Sequence, residues 1–283
     1  MRDLLRGIKR NLRYAIYHFF YRSSVKAYWY ENNHNFGDIL NPLFINQLSG
    51  KDVIWVNPEL YRYTNYIVIG SILDKANQYS IVWGSGFISQ ESECLEKPSK
   101  VCAVRGPLTR QKLLESGIDC PEVYGDPALL LPQIYTPKTQ KKYKLGIIAH
   151  YVDMDNAWLK KINDSDVLLL DIQCADPFDF IEHVYSCEMV ASSSLHGLIV
   201  ADAYGIPSLW LEFSDKVVGK GFKFIDYFLS VGRSDTEPFI IKKETSIDEL
   251  VNSFPDYEID IDLPKLIDAC PFELVKFLDQ KKS

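Results

Sequence analysis

The chain has 283 residues, of which 47% are apolar and 24% charged, and its net charge is −7. The length suits two domains of ordinary size, the composition excludes a disordered chain, and the acidic balance argues against a nucleic-acid binder. No stretch approaches the roughly 20 apolar residues of a membrane span. The six cysteines have no CxxC or zinc-ligand spacing, which favours free thiols in a reducing cytoplasm.

The N-terminal segment has its own character. Residues 1–26 carry seven basic side chains and one acidic one, with apolar residues between them at helical spacing. We predict a basic amphipathic helix over residues 1–24. Such a helix can lie on an anionic surface, which predicts a cytoplasmic protein in peripheral contact with the inner face of the cytoplasmic membrane. The alternative is a helix packed on the protein's own core.

From residue 25 onward, short apolar runs alternate with helical patterns. Strands are predicted at "VKAYWY" (25–30), "YIVIG" (66–70), "SIVWG" (80–84) and "KVCAVRG" (100–106). Helices are predicted at "DILNPLFINQLSG" (38–50) and "PLTRQKLLESG" (107–117), the second with proline at its start and glycine at its end. The polar stretch 132–144 is predicted to be a linker, so residues 25–135 form the first domain.

After the linker the alternation restarts. Strands are predicted at "LGIIAH" (145–150), "DVLLLDI" (166–172), "MVASS" (189–193) and "PSLWLEF" (207–213). Helices are predicted at "DNAWLKKI" (155–162), "DPFDFIEHVYSCE" (176–188) and "LHGLIVADAYG" (195–205). Repeated βα units predict parallel sheets covered by helices. The fold class is therefore α/β, with two Rossmann-like domains facing a cleft and residues 143–283 forming the second.

Ligands of such sheets bind outside the carboxyl ends of the strands, which selects the candidate site residues. Polar residues and glycines follow the predicted strands at many places: Asn35, Gly37, Asp38, Gly70, Ser71, Gly84, Ser85, Gly86, Arg105, Gly125, Asp126, His150, and Ser192 to His196. We expect these positions to lie close together.

Three features of the first half could bind an anion. The backbone N–H groups of "NFGD" (35–38) open a helix, although Asp38 acting as an N-cap is the alternative. The glycines around Ser85 allow a ligand to approach the backbone, as they would also allow a plain turn. The Arg105 guanidinium can bind a carboxylate or phosphate through two hydrogen bonds. The alternative is an ion pair with a structural carboxylate such as Asp126.

The second half offers proton-transfer groups and further cations. His150 ends a strand and could move a proton near neutral pH, or be a hydrogen-bonded loop residue. His196 is predicted in the first turn of a helix, whose positive end favours neutral imidazole. Lys216, Lys220 and Lys223 surround two glycines before a helix and could hold a phosphate, or form a flexible basic loop. The histidines do not cluster, so we predict no metal.

Seven stretches, in order over residues 25–233, resemble the polysaccharide pyruvyl transferase family. They are "NFGDILNP", "VWGSGF", "VRGPLTR", "YGDPALLLP", "LGIIAHYVD", "SSSLHGLIVADAYGIPSLWL" and "GKGFKFIDYF". The combination is similar above all to the branch that includes the succinoglycan ketal pyruvyltransferase. The resemblance implies a two-domain fold like that of GT-B glycosyltransferases.

The resemblance also implies a reaction. Pyruvate would pass from phosphoenolpyruvate to a sugar of a lipid-linked oligosaccharide or polysaccharide as a cyclic ketal, with phosphate released and no cofactor. Chemistry of this kind needs a general acid, a general base and preorganised donors for the anion.

The same resemblance assigns site residues by position. His196 matches the family's active-site histidine, with His150 as the second catalytic candidate, and Arg105 matches an arginine that binds phosphoenolpyruvate. Many members have Arg-Leu-His where this chain has Ser194-Leu195-His196, so Lys220, Lys223 or Arg233 would supply the missing charge. We expect the donor also to contact Ser193, Ser194 and Gly197. The acceptor-side or loop residues would be Asn35, Gly37, Asp38, Gly84, Ser85, Gly86 and Asp126.

Two other functions fit the same architecture. One is a GT-B-type glycosyltransferase that uses a nucleotide sugar. Retaining enzymes of that type often carry two glutamates eight residues apart in the second domain, and none follows the serine loop here. The other is a non-catalytic glycan-binding scaffold.

Overall fold

The computed structural model describes residues 21–31 and 34–275. The predicted N-terminal helix over 1–24 therefore lies almost entirely outside the described residues. The described chain builds two five-stranded parallel sheets, one from strands before residue 104 and one from strands after residue 142. This confirms the prediction of an α/β fold with two Rossmann-like halves.

The first sheet has the strand order β2-β1-β3-β4-β5. Its strands are β1 (Val25–Ala27), β2 (Val53–Trp55), β3 (Asn65–Ile67), β4 (Ser80–Trp83) and β5 (Lys100–Ala103). Helix α1 (Phe36–Ser49) follows β1, and α2 (Pro107–Glu115) follows β5 with proline at its first turn, as predicted. The buried amide of Asn41 on α1 bonds both the N–H and the carbonyl of Ile69, which fixes the loop after β3.

The second sheet has the strand order β10-β9-β8-β6-β7. Its strands are β6 (Tyr143–Ala149), β7 (Val167–Asp171), β8 (Cys187–Ser192), β9 (Ser208–Glu212) and β10 (Phe239–Ile240). Its helices are α4 (Pro177–Tyr185), α5 (Leu195–Ala203), α6 (Phe222–Ser230) and α7 (Ile247–Val251), and the short α3 (Leu131–Ile134) precedes β6. β6 lies between β8 and β7 and is buried from Leu145 to Ala149, as a continuous apolar run predicts.

The C-terminal part of the described chain returns to the first half. Helix α8 (Leu263–Asp268) lies close enough for the Leu266 carbonyl to accept a hydrogen bond from Trp83 Nε1 at 2.9 Å. The ring of Phe272 packs edge-on against Trp83 and also contacts Tyr66. The domain limits 25–135 and 143–283 stay a prediction, and the segment after residue 259 contacts the first sheet.

Two predicted elements differ in the structure. The helix predicted over residues 155–162 is wrong, because this stretch forms turns and a single 3₁₀ turn at Leu159–Lys161. Its apolar side chains pack as a loop, with Trp158 Nε1 bonded to the Thr245 carbonyl at 2.7 Å. The first strand ends at Ala27 rather than residue 30.

Three predictions about composition can be compared with the structure. All six cysteines lie in the described part of the chain, and they are free thiols, none of them exposed. No helix within residues 21–31 and 34–275 is both long and apolar enough to cross a membrane. The same residues hold no cluster of three or more metal-ligating side chains, and the absence of a required metal stays a prediction.

Candidate active site

A cavity of about 330 Å³ lies at the carboxyl ends of strands from both sheets. Its polar lining includes six of the residues that the sequence singled out as site residues: Asn35, Asp38, His150, Ser194, His196 and Lys223. Gly70 and Ser71, which follow β3, also line it. The expectation that residues after different strands lie together is therefore confirmed for this set.

The start of α1 forms one wall. Asn35 is the N-cap, and its side chain accepts a hydrogen bond from the Gly37 N–H at 3.2 Å. Asp38 is thus not the cap, which corrects that alternative. The Phe36 N–H donates to the Ile172 carbonyl of the second half, and the Asp38 N–H donates to Asn35. These N–H groups are occupied, so the expected backbone anion site at 35–38 is wrong.

The serine loop before α5 forms the opposite wall. Ser193 Oγ accepts a hydrogen bond from the His150 N–H at 2.8 Å, and Ser192 Oγ holds the Ser194 N–H at 3.0 Å. Helix α5 begins at Leu195, which confirms that His196 lies in its first turn. Within the described chain, the N–H groups of Leu195 and His196 have no acceptor, and both residues line the cavity. They are available to an anion.

Lys223 supplies the cavity with a cation. It lies in the first turn of α6 and is 8% exposed. Its ammonium has neither a hydrogen bond nor an ion pair within 4 Å among the described residues, although Asp38 lies near enough to act on it electrostatically. Burial, together with Arg105, lowers the pKa of Lys223 to about 8. The ammonium lies 5.4 Å from the centre of the Phe224 ring. A buried ammonium without a hydrogen bond or an anion is costly, and an anionic ligand would relieve that cost.

His196 and Asp126 face each other from the two halves of the chain. The distance from His196 Nε2 to Asp126 Oδ2 is 3.7 Å, and neither atom has a hydrogen-bond partner in the described structure. Burial, with the charges of Lys223 and Arg105, lowers the pKa of His196 to about 3. Burial raises the pKa of Asp126 to about 6. The neutral imidazole agrees with the prediction, but burial is its main cause.

Two further titratable groups line the cavity. Burial raises the pKa of Asp38 to about 7, against the opposing effects of the Tyr30 N–H and the Lys223 charge. Burial and the Lys223 charge lower the pKa of His150 to about 4. At neutral pH the cavity therefore holds one ammonium, two neutral imidazoles and a carboxyl that can both take and give a proton.

Arg105 lies behind the cavity wall. It is fully buried, and its Nε donates to Asp226 Oδ2 at 3.0 Å while Nη2 donates to the Phe87 carbonyl. Its partner is Asp226 of α6, not Asp126, which corrects the alternative pairing. The remaining Nη1 donates to Ser71 Oγ at 2.7 Å. Ser71 lines the cavity, so Arg105 reaches it through that hydroxyl and through its charge.

The other two cations named as substitutes for the missing arginine lie elsewhere. Arg233 is 2% exposed and is ion-paired with Asp202 and Asp235. Lys220 lines a separate, smaller cavity of about 190 Å³ beside β9. Lys223 lines the same cavity as Ser194, and its role as a substitute for the missing arginine stays a prediction.

The remaining predicted site residues are outside the cavity lining and pack against other groups. Gly86 leaves room for the Arg105 guanidinium, and Gly37 lies against the His196 imidazole, where a Cβ would overlap Cε1 and Nδ1. Gly197 packs on Ser192, and Gly84 packs on Pro127. Ser85 is buried, and its Oγ bonds the Gly70 carbonyl at 2.7 Å.

The predicted site residues leave out part of the lining, namely Tyr30, Ile72, Ile88, Tyr151 and Leu195. Tyr30 closes the first predicted strand, and its N–H bonds Asp38 Oδ1 at 3.3 Å. Tyr151 directly follows His150, and their rings lie 4.3 Å apart. The rule that ligands lie beyond strand ends would have included both tyrosines; polarity was the criterion that excluded them.

This arrangement defines a class of protein. It is a two-sheet α/β protein whose site joins two imidazoles, a carboxyl and a buried ammonium in one cavity between the halves. The family profile described as polysaccharide pyruvyl transferase matches residues 2–215. The chain belongs to the polysaccharide pyruvyl transferase family and is a transferase.

Two curated proteins are similar over most of the chain. An uncharacterized protein of Acanthamoeba polyphaga mimivirus is 31% identical over 261 residues, covering 86% of this chain and 88% of that protein. The succinoglycan biosynthesis protein ExoV of Rhizobium meliloti (strain 1021) is 29% identical over 220 residues, covering 74% of this chain and 65% of that protein. The second similarity supports the branch that the sequence motifs indicate.

A solved structure of a functionally uncharacterized protein from Klebsiella pneumoniae aligns with 83% of this chain and 98% of its own. The TM-score is 0.42 at 12% sequence identity, which is too low to support an inference about fold or function.

Proposed function

We propose that this enzyme transfers pyruvate from phosphoenolpyruvate to a sugar of a lipid-linked oligosaccharide or polysaccharide, forming a cyclic ketal and releasing phosphate. The observation that carries the proposal is the Lys223 ammonium, which is buried in the same cavity as His196 and lies over the Phe224 ring without a hydrogen bond or ion pair among the described residues. The donor is a small, dense anion, and the N–H groups of Leu195 and His196 face the same space. The two sheets would correspond to the two domains of a GT-B-like fold.

The size of the cavity favours this donor over a nucleotide sugar. About 330 Å³ lies at the lower end of the range for small-molecule sites, which is about 300–1,000 Å³. A three-carbon phosphorylated acid leaves space for part of a sugar ring in that volume. A nucleotide sugar would need a longer cleft.

The titratable groups suit the two proton transfers that the reaction requires. Asp38, with its pKa raised to about 7, can take the proton of an attacking sugar hydroxyl near neutral pH. His150 is neutral there and can hydrogen-bond the second hydroxyl, which closes the ketal. A donor bound between Lys223 and the start of α5 would lie against His196. Arg105 would stabilise the bound donor through its positive charge and by orienting the Ser71 hydroxyl.

The test separates the three functions by what is released. The purified enzyme is incubated with a lipid-linked acceptor and either phosphoenolpyruvate or a nucleotide sugar. We expect inorganic phosphate from the first donor, together with an acid-labile mass gain on the glycan. Release of nucleotide from the second donor would instead identify a glycosyltransferase, and acceptor binding without turnover of either donor would identify a scaffold.

His196→Ala should abolish transfer while leaving the fold intact, because the imidazole lines the cavity and is not one of the apolar side chains that form the cores. Phosphate release and the circular dichroism spectrum measure the two parts of this prediction. Normal turnover by the variant would remove His196 from the mechanism.

Membrane contact rests on the sequence alone. The basic segment 1–24 lies almost entirely outside the described residues. We propose that it holds the enzyme near its lipid-linked acceptor. Deletion of residues 1–22 should reduce association with anionic liposomes in a flotation assay, and unchanged association would exclude this role.

A further inference from the structure

We propose that Asp126 and His196 share one proton between Oδ2 and Nε2 and deliver it through His196 Nδ1 to the donor, with Asp126 as the positioning residue. This inference rests on the proposed function for the identity of the donor. The pairing of the two groups does not depend on it.

The first observation is a pair of orphaned atoms. Asp126 Oδ2 and His196 Nε2 are both buried and lie 3.7 Å apart, and neither has a well-formed hydrogen bond in the described structure, although the Gly70 N–H is near enough to the Asp126 carboxyl to lower its pKa. Buried polar atoms rarely go unsatisfied, because each costs free energy comparable to a lost hydrogen bond. A proton between these two atoms, with a small approach of the ring, satisfies both.

The second observation concerns the other edge of the ring. Since Nε2 is turned to Asp126, Nδ1 is the nitrogen left for the cavity that His196 lines. Gly37 lies beside this edge, and any Cβ there would overlap Cε1 and Nδ1. Glycine at this position therefore leaves Nδ1 uncovered.

Burial favours the proton on the Asp126 carboxyl, against the opposing effects of the Ala128 N–H, the Arg105 charge and the Gly70 N–H on its pKa. Burial raises the pKa of Asp126, whose Oδ1 accepts from the Ala128 N–H at 3.0 Å. Lys223 and Arg105 lower the pKa of His196, in addition to burial. Asp38 and His150 line the same cavity. The imidazole thus stays neutral while Asp126 gains or loses its proton near pH 6. A bound donor dianion would raise the pKa of Asp126 further.

The step balances in atoms and charge. Nδ1–H gives its proton to the methylene carbon of phosphoenolpyruvate, while Nε2 takes the proton of Asp126, which becomes a carboxylate. The donor's C2 becomes electrophilic, and the first sugar oxygen bonds to it as its proton passes to Asp38. The second sugar oxygen then replaces phosphate, which leaves with the second hydroxyl proton. The starting state returns when Nδ1 takes a proton from water, Nε2 gives its proton back to Asp126, and Asp38 loses its proton to water.

Asp126→Asn tests the pair with little change in shape. The amide oxygen can keep the hydrogen bond from the Ala128 N–H, so the amide NH₂ must face Nε2 and donate to it. Nε2 then cannot accept a proton from position 126. We expect kcat to fall by about 10²- to 10⁴-fold with a small change in the KM of the donor.

The matched control is Asp153→Asn. Asp153 is 4% exposed and also has an orphaned Oδ2, while its Oδ1 accepts from Ser214 Oγ, and it does not line the cavity. We expect its kcat to match that of the wild type. A kcat for Asp126→Asn equal to that of the control would overturn the proposal.

A second readout needs no turnover. In ¹⁵N-histidine-labelled protein, with the signal assigned by loss in His196→Gln, the wild type should change from the Nδ1–H tautomer to the Nε2–H tautomer as pH rises through about 6. Asp126→Asn should hold the Nδ1–H tautomer throughout. The same tautomer in both proteins would contradict the pair. A tautomer change without turnover of phosphoenolpyruvate would keep the pair and reject the proposed function.

Discussion

At the scale of single residues, the ammonium of Lys223 determines how well the cavity binds an anion. Lys223 is buried beside Arg105, and the pKa of its ammonium is lowered to about 8. Lys220 is only three residues away but lines a different cavity. The sequence could name both lysines as phosphate-binding candidates. The sequence could not show which of the two lines the site. The backbone is left-handed at Lys220 and at the glycines on either side of it, and this turn sends the two lysines to different cavities.

Lys223→Ala should raise the KM of phosphoenolpyruvate about 10- to 100-fold, since a hydrogen bond to a charged group contributes about 1.5–3 kcal/mol. Lys220→Ala is the matched control and should change this KM far less. Steady-state phosphate release measures both variants. Equal effects of the two substitutions would mean that the donor spans both cavities.

The same lysine predicts a pH dependence. The charged form binds the donor, so kcat/KM should fall as pH rises through about 8, where the free enzyme loses the Lys223 proton. Lys223→Arg should keep its activity, relative to its own maximum, to a higher pH, because guanidinium stays charged. A profile above pH 7 that is identical in both proteins would show that another group titrates.

At the scale of elements, the starts of three helices define the site. Helix α1 provides Asn35 and Asp38, α5 provides His196, and α6 provides Lys223. The βα periodicity predicted these elements and their order well. It failed at residues 155–162, where apolar spacing resembled a helix but tertiary contacts of Trp158 hold a loop.

Gly37→Ala tests the approach of α1 to α5. An alanine in a helix is normally favourable by up to about 1 kcal/mol relative to glycine, but here its methyl group would overlap the His196 ring. We expect the ring to be displaced and kcat to fall by about 10²-fold.

The control is Gly205→Ala, which has open space around it but a left-handed backbone. It should lower the melting temperature and leave kcat unchanged. If Gly37→Ala were instead more stable and fully active, the close approach of the two helices would be refuted.

At the scale of the whole molecule, a buried polar cluster joins the two halves. Asp226 of α6 accepts from Arg105 Nε at 3.0 Å, from the Thr109 N–H at 2.9 Å and from Thr109 Oγ1 at 2.7 Å. Gly106 packs directly on the Asp226 backbone. Lys223 lies one turn earlier on the same helix, so the cluster that joins the halves also places the cavity's cation.

Asp226→Ala should destabilise the protein by about 3–5 kcal/mol, because it leaves the Arg105 guanidinium buried without its carboxylate. Urea unfolding followed by tryptophan fluorescence measures the loss. The control, Glu96→Ala, removes an exposed ion pair with Arg62 and should change the midpoint little. Similar midpoints for both variants would mean that the buried pair does not hold the halves together.

Only some of the residues of this site could be predicted from the sequence. Sequence reasoning placed His196, His150, Asp38 and Ser194 beyond strand ends, because strand position follows from local patterns. It expected Arg105 to face the ligand and considered Asp126 as its structural partner. The partner is Asp226, 121 residues away in sequence, which no local pattern can reveal.

The cavity shared by the two halves is the central claim, and lysine acetylation mapped by mass spectrometry tests it most directly. The lowered pKa makes Lys223 reactive near pH 8, and a donor seated against it should block the reagent. The account predicts that saturating phosphoenolpyruvate protects Lys223 while Lys216 and Lys220 react as before. Equal acetylation of Lys223 with and without a donor concentration that supports turnover would contradict it.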